Sequence, residues 1–484
     1  MSILSASNQT QLLNALKLAK AGDTIQLDPG RYGTLSLDGM KSATKYLKYT
    51  GEVKITSASA SNKAVIDGLT LRGVSNLTFD KIEFDYATAT TSNGIPFFLN
   101  NSTNVTFRGS TFGGEYGATG YGLGTGLKVS QGSNILLENS TLTGFRNGIE
   151  AFATEGLMIR GNQLRDIAYD GITTSNVQGL TIRSNTIAMR SDPAGDKHRD
   201  GIQIWNQHER APSSNILIEK NTITATDTTT HGIYMGNADA KNTGSLSEFY
   251  TNVSILGNTV MTGQKLGIAI GQTNGLVISG NTIIQHSALN DNPKVVTIPV
   301  IHVEKDALNV QITNNTMNGA HIASDNNWQP VAGAGTAWTV SNNKIVALSW
   351  DPGQVSTDPW ANVQGNGQAD EFRFKGTSVT AERTDLVGDL LFSEGDTIVL
   401  INYEANSFKG VWKGNQLDVN ATGTYVKMDS ITDLQELVAT SPKLSATVIG
   451  DTLTLHVSQT AGTHHIVLDG LGYLYQSTYD ATLF

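Results

Sequence analysis

Cysteine is missing from all 484 residues, so no disulfide and no thiolate metal site can hold the chain together. Stability must come from packing and hydrogen bonds. No apolar run reaches the roughly 20 residues that a membrane-spanning helix needs, so no membrane anchor is expected. Residues 1–8 lack a basic segment followed by an apolar stretch, which reads as a chain without a cleavable N-terminal signal peptide. Surplus positive charge is missing too. The formal net charge of −10 argues against nucleic acid as a partner, although a local basic cluster can still meet an anionic polymer. Proline is scarce, 10 residues against 50 glycines, and Ser, Thr and Asn abound, as in a chain of short strands with many turns. The length fits a monomer of two domains with a large core.

Residues 8–20 place Leu12, Ala15, Leu16 and Ala19 on one helical face, with Ser7 or Asn8 as N-cap and Gly22 as stop. A strand pattern, Asp23-Thr-Ile-Gln-Leu, follows at once. One short amphipathic helix before a long all-β run reads as a cap on the open end of a β stack, whose edge would otherwise pair with other chains.

From about residue 50 a unit recurs, as in Leu157-Met-Ile-Arg-Gly-Asn-Gln-Leu, Leu180-Thr-Ile-Arg-Ser-Asn-Thr-Ile and Ile216-Leu-Ile-Glu-Lys-Asn-Thr-Ile. Its turn asparagines are Asn162, Asn185, Asn221, Asn258, Asn281 and Asn315. Asparagine tolerates the left-handed conformation, and stacked copies can form an amide ladder. Asn139, Asn162 and Asn185 are spaced 23 residues apart, the length of one three-stranded turn of a right-handed parallel β-helix. A leucine-rich repeat would need denser leucine, and a propeller blade would be about twice as long. Repeats fade near Trp350. The expected organisation is a right-handed parallel β-helix with an N-terminal capping helix over 1–364, then a small, antiparallel-looking C-terminal β-domain over 365–484.

A Gly-Ile pair starts at 171, 201 and 232, preceded by Asp170, Asp200 and His231. Other coils carry Thr125, Asn147 or Leu266 in that slot. Three titratable residues on successive coils suggest a site. The intervals Asn185 to Asn221 and Asn221 to Asn258 swell to 36 and 37 residues, so loops must wall this stretch. Strand alternation turns Gln203, Trp205 and Tyr234 outward, a face suited to sugar rings and hydroxyls. The purely structural alternative is that each Asp only caps a turn before Gly.

Ala21-Gly-Asp-Thr-Ile-Gln-Leu-Asp-Pro-Gly-Arg-Tyr, Val53-Lys-Ile-Thr and Ile66-Asp-Gly-Leu resemble the start of β-helical polysaccharide lyases related to chondroitinase B and alginate lyases. That family's Lys and Arg signature is missing from the middle coils, so its residues are not carried over. Tyr169-Asp-Gly-Ile, Arg199-Asp-Gly-Ile and Thr230-His-Gly-Ile resemble the Asp, Asp and Gly-His-Gly ladder of polygalacturonase-type hydrolases. Arg199 stands where that family pairs its aspartates, and its Arg-Ile-Lys is absent. Mannuronan C5-epimerases use an aspartate, histidine and tyrosine set on such a scaffold, and their Asp-Pro-His has no match here. Asp370-Glu-Phe-Arg-Phe and Phe392-Ser-Glu-Gly-Asp-Thr-Ile-Val-Leu resemble C-terminal regions of type I secreted calcium-binding proteins, which implies export. Their Gly-Gly-x-Gly-x-Asp nonapeptides are absent.

The first expectation is a secreted enzyme that cleaves an acidic, uronate-containing polysaccharide by β-elimination. Lys197 and Arg199 would bind the carboxylate, His231 or Lys197 would be base, and Tyr234 or Tyr169 acid. His198, Gln203, Trp205, His208 and Arg210 would line the substrate groove. The rivals are an inverting hydrolase on Asp170 and Asp200, a polysaccharide C5-epimerase, and a non-catalytic glycan-binding rod. Asp192 and Asp196, with Asp170 and Asp200, offer oxygens for Ca2+, though no ligand spacing is specific.

Overall fold

The computed structural model describes residues 1–86, 94–190, 198–206, 211–227, 229–286 and 299–317, and a series of separate segments between 323 and 475. The chain divides into two compact units, Met1–Leu348 and Ser349–Phe484.

The first unit is a right-handed parallel β-helix. Each coil sends one strand to a 12-stranded sheet and the others to a 22-stranded sheet, and the described pairings in both are parallel. The apolar residue of each Gly-Ile or equivalent pair points inward. Leu127, Ile149, Ile172, Ile202, Ile233 and Ile268 lie one above another, all fully buried. In the early coils the interior is aromatic, with Phe79 stacked on Phe107 at 5.2 Å and Phe84 on Phe112 at 4.6 Å.

Gln9–Leu18 forms the capping helix, its N-terminus closed by Asn8, which accepts from the Gln11 amide at 3.0 Å. Leu12, Ala15 and Leu16 go under it. The helix stops at Leu18, before the expected Gly22, which has φ +87° in the turn that follows.

The amide ladder forms, and it runs through Asn343. Each asparagine from Asn162 to Asn315 donates Nδ2–H to Oδ1 of the next at 2.9–3.0 Å. That same Oδ1 also accepts the preceding asparagine's backbone N–H. The left-handed residue is the one before each ladder asparagine: Gly161, Ser184, Lys220, Gly257, Gly280, Asn314 and Asn342. Asn139 is of this second kind, with φ 48°, and Ser140 fills the ladder slot below Asn162. The 23-residue spacing from Asn139 to Asn162 therefore joined inequivalent positions.

In the second unit, a hairpin chain Leu444–Ile449, Thr452–Gln459 and Gly462–Asp469 is antiparallel. Arg383–Gly388 pairs in parallel with Gly462–Asp469, as does Glu371–Lys375 with Thr397–Ile401. The unit also holds an antiparallel hairpin, Phe408–Lys413 with Gln416–Gly423, and a helix, Ile431–Thr440. This amends the antiparallel expectation, because alternation along one strand carries no information about its partner's direction. Among the described residues no helix is long and apolar enough to cross a membrane.

Candidate functional site

Seven strands of successive coils build one outer face: β1 Thr125–Ser130, β2 Asn147–Arg160, β3 Asp170–Arg183, β4 Arg199–Asn206, β5 Thr230–Asn237, β6 Leu266–Ile270 and β7 Val300–Glu304. Register puts Thr125 beside Asn147, Asn147 beside Asp170, and Asp200 beside His231, as the Gly-Ile spacing implies. The glycine that follows has a packing reason. A Cβ on Gly201 would lie 2.3 Å from Ile223 Cγ2, and one on Gly232 would lie 2.3 Å from the Gly267 carbonyl oxygen. Coils touch there, and no side chain fits.

Asp200 is the hub. Its Oδ1 lies 2.7 Å from His231 Nδ1, and its Oδ2 lies 3.2 Å from His198 Nδ1. Gln203 Nε2 donates to the same Oδ2 at 2.6 Å. Asp200's own amide donates to Asp170 Oδ1 at 3.0 Å, and Thr173 donates to Asp170 Oδ2 at 3.2 Å. The Tyr234 ring stacks on His231 at 5.3 Å and 22°, the Trp205 ring stacks on Tyr234 at 6.2 Å, and His198 meets both His231 and Tyr234 edge-on.

Burial pushes the Asp170 carboxyl well above its ordinary range, and the Asp200 charge beside it pushes the same way. For Asp200 burial also pushes upward, but hydrogen bonds from His198 and His231 outweigh it and hold the group below its usual value. Of the two carboxyls, Asp200 therefore loses its proton first and Asp170 holds its own to higher pH. Burial, then the charges of Asp200 and Glu304, raise the Tyr234 phenol. An ionised Asp200 fixes the proton of His231 on Nδ1 and leaves Nε2 as the basic atom.

The sequence-derived residues are placed unequally. Asp170, Asp200, His231, Tyr234, His198, Gln203 and Trp205 come together. Tyr234 turns away from the core as expected but is only 7% exposed, because His231, Trp205 and His198 enclose its ring. Arg199, expected to help clamp a uronate carboxylate, is buried and donates Nη1–H to Thr229 at 2.7 Å. The Tyr169 ring lies under the Arg146 guanidinium at 4.0 Å. Lys197, His208, Arg210, Asp192 and Asp196 lie outside the described residues.

Sequence reasoning passed over other members of this face. One outer column runs Lys128, Glu150, Thr173, Gln203, Tyr234, Ala269 and His302. The buried His302 and Glu304 sit on the coil beyond Ala269. Strand alternation in Val300-Ile301-His302-Val303-Glu304 carried that signal, but no Gly-Ile pair marked the coil. His198, Asp200 and His231 bring their ligand atoms within 4.8 Å of one another. Two imidazoles and one carboxylate are a transition-metal donor set, whereas Ca2+ takes six to eight oxygens. Both Asp200 oxygens already accept from nitrogen donors, so calcium fits poorly.

The family description "right handed beta helix region" matches residues 46–245. A search of curated proteins by sequence finds no match. Among solved structures, the chain is similar to an alginate lyase from a Paenibacillus species, at 16% identity over 58% of this chain and 94% of that one, TM-score 0.30. It is also similar to a polygalacturonase from Erwinia carotovora, at 15% identity over 66% and 97%, TM-score 0.30. PfbA, a surface adhesin of Streptococcus pneumoniae, is similar at 11% identity over 94% of both chains, TM-score 0.37. Likenesses this distant leave the site to be read from its own geometry.

Proposed function

We propose that the Asp200 site cleaves an acidic polysaccharide by β-elimination. The observation that carries this is the 2.7 Å contact between a buried, ionised Asp200 and His231, with Tyr234 stacked against the imidazole. His231 Nε2 takes the proton from the carbon beside a uronate carboxylate. The electron pair left behind forms a carbon–carbon double bond as the bond to the leaving glycosidic oxygen breaks. Tyr234, whose raised pKa keeps it protonated at neutral pH, gives its proton to that oxygen. Lys197, next to His198 in the chain, neutralises the uronate carboxylate in this reading, together with His198 when it is protonated; the His198 side chain is 42% exposed.

Inverting hydrolysis on Asp170 and Asp200 has less support, since both carboxylates are buried and turned to protein donors. The test is a screen of acidic polymers for a new near-ultraviolet absorbance from the unsaturated uronate. Reducing ends without that absorbance would identify a hydrolase instead, with anomeric NMR to fix its stereochemistry. Solvent deuterium entering the polymer without loss of chain length would make it a C5-epimerase. Binding without any product would leave a glycan-binding rod. Secretion belongs to the same proposal, with residues 365–484 as the export signal. Deleting them should trap the protein in the cell.

A further inference from the structure

The second outer column of the same face has a pattern that the catalytic reading does not use. It runs Ser130, Phe152, Ser175, Trp205 and Gly236. Ser130 pairs with Phe152, Phe152 with Ser175 and Trp205 with Gly236, while the pairing of Thr174 with Ile204 sets Ser175 beside Trp205. Phe152 and Trp205 are partly exposed, and each has small neighbours in the column. A Cβ on Gly236 would come within 2.5 Å of the Trp205 indole, so the ring lies across that glycine. Two coils separate Phe152 from Trp205, about 9.6 Å at the spacing of paired strands. That distance is the advance of two consecutive sugars in an extended 1,4-linked chain. Ser175 lies between the two rings, its hydroxyl without a hydrogen-bond partner among the described residues.

Charge is arranged at the far ring. Lys128 Nζ lies 5.0 Å over Phe152 and 2.9 Å from Glu150 Oε2. Glu150 is itself fixed by Asn147 at 2.6 Å and by Thr125 at 3.1 Å. An ammonium has three donors, and Glu150 takes one of them. The carboxylate therefore holds the lysine over the Phe152 ring while its own charge is matched by Lys128 and by two neutral donors.

We infer that an acidic glycan lies along the coil axis, one ring over Trp205 beside the reacting residue and another, two sugars away, over Phe152, with Lys128 binding the carboxylate of that second sugar. This rests on reading the His231 site as one that acts on such a polymer. Aromatic faces take the apolar face of a pyranose, and the ammonium supplies a charge-assisted hydrogen bond to the uronate.

Affinity electrophoresis of the full chain carrying His231→Ala, through gels holding polygalacturonate, alginate or a neutral glucan, tests the track without consuming the polymer. One acidic polymer should retard it and the glucan should not. Adding Phe152→Ala or Lys128→Gln should weaken that binding about tenfold, the scale of one ring face or one charged contact, with an unchanged thermal transition. Lys128→Arg should restore most of the loss seen with Lys128→Gln. If both added variants bound like their parent to a polymer that the wild type cleaves, the track would be overturned and the His231 site would stand. Weakened binding to a polymer the wild type leaves intact would keep the track and remove the elimination chemistry. Equal retardation by the neutral glucan would overturn the role of Lys128, and retardation by no acidic polymer would overturn the track.

Discussion

The asparagine ladder and the slot of Asp170, Asp200 and His231 are both polar stacks repeating at the spacing of paired strands. They differ in one respect. In the ladder the residue never changes between Asn162 and Asn343, so every amide donates forward, accepts from behind and leaves no charge. In the slot the residue changes at each coil, from Asn147 to Asp170 to Asp200 to His231. Buried charge then gathers at Asp200, answered by the His231 imidazole of the next coil and by His198 and Gln203 of its own segment. Uniform stacking gives rigidity, while substitution within the same stack gives chemistry.

That contrast can be broken most forcefully at His231. His231→Ala should lower the rate of polymer cleavage about a thousandfold, as loss of a general base does, and should lower Tm as well, because buried Asp200 loses a partner. Full activity in that variant would place the chemistry elsewhere. Next comes Asn221→Ala in the ladder. It strands the Asn185 backbone N–H and one of its Nδ2–H groups and takes one donor each from the Asn258 oxygen and the Ile182 carbonyl, and chemical denaturation should show a loss of about 3 kcal/mol. A neutral result would mean the ladder is decorative.

A smaller effect sharpens the difference between the two aspartates. Asp170 keeps its proton in the folded state to a pH above 3.8, where the unfolded chain releases it. Folding stability from this group is therefore lost as pH rises from about 3.8 through the raised folded value. Asp170→Asn keeps an acceptor for the Asp200 amide and cannot ionise, so its Tm should exceed the wild type's at pH 7. The two curves should meet as pH falls below 3.8; parallel curves would refute the upward shift of Asp170. The smallest expected effect is none at all. Dialysis against EDTA should leave cleavage intact, and a loss restored by zinc would turn His198, Asp200 and His231 into a metal centre.

Much of the fold was legible because a coil repeats its own grammar: inward Ile, a glycine where backbones touch, asparagine at the corner. The register at Asn139 was not, since asparagine serves both as ladder residue and as left-handed corner, and only the Asn162 contact to Ser140 separates the two uses. Within the site, chain spacing alone set Asp170, Asp200 and His231 in line. It could not say that Tyr234 would be enclosed by neighbouring rings, or that Arg199 would turn to Thr229. Those outcomes depend on residues from other coils. Phe152 and Lys128 escaped notice because their coils carry an uncharged residue, Asn147 or Thr125, in the slot that drew attention.

The ladder also has a direction. One Nδ2–H of each asparagine from Asn162 to Asn315 points to the next coil's Oδ1, so the amide dipoles align along the axis, with oxygens facing the N-terminal coils. Aligned peptide dipoles sum in the same way in a helix. Flipping one amide would set oxygen against oxygen on one side and NH2 against NH2 on the other. No single member can reverse alone, so the direction taken at one coil is imposed on every other coil of the spine.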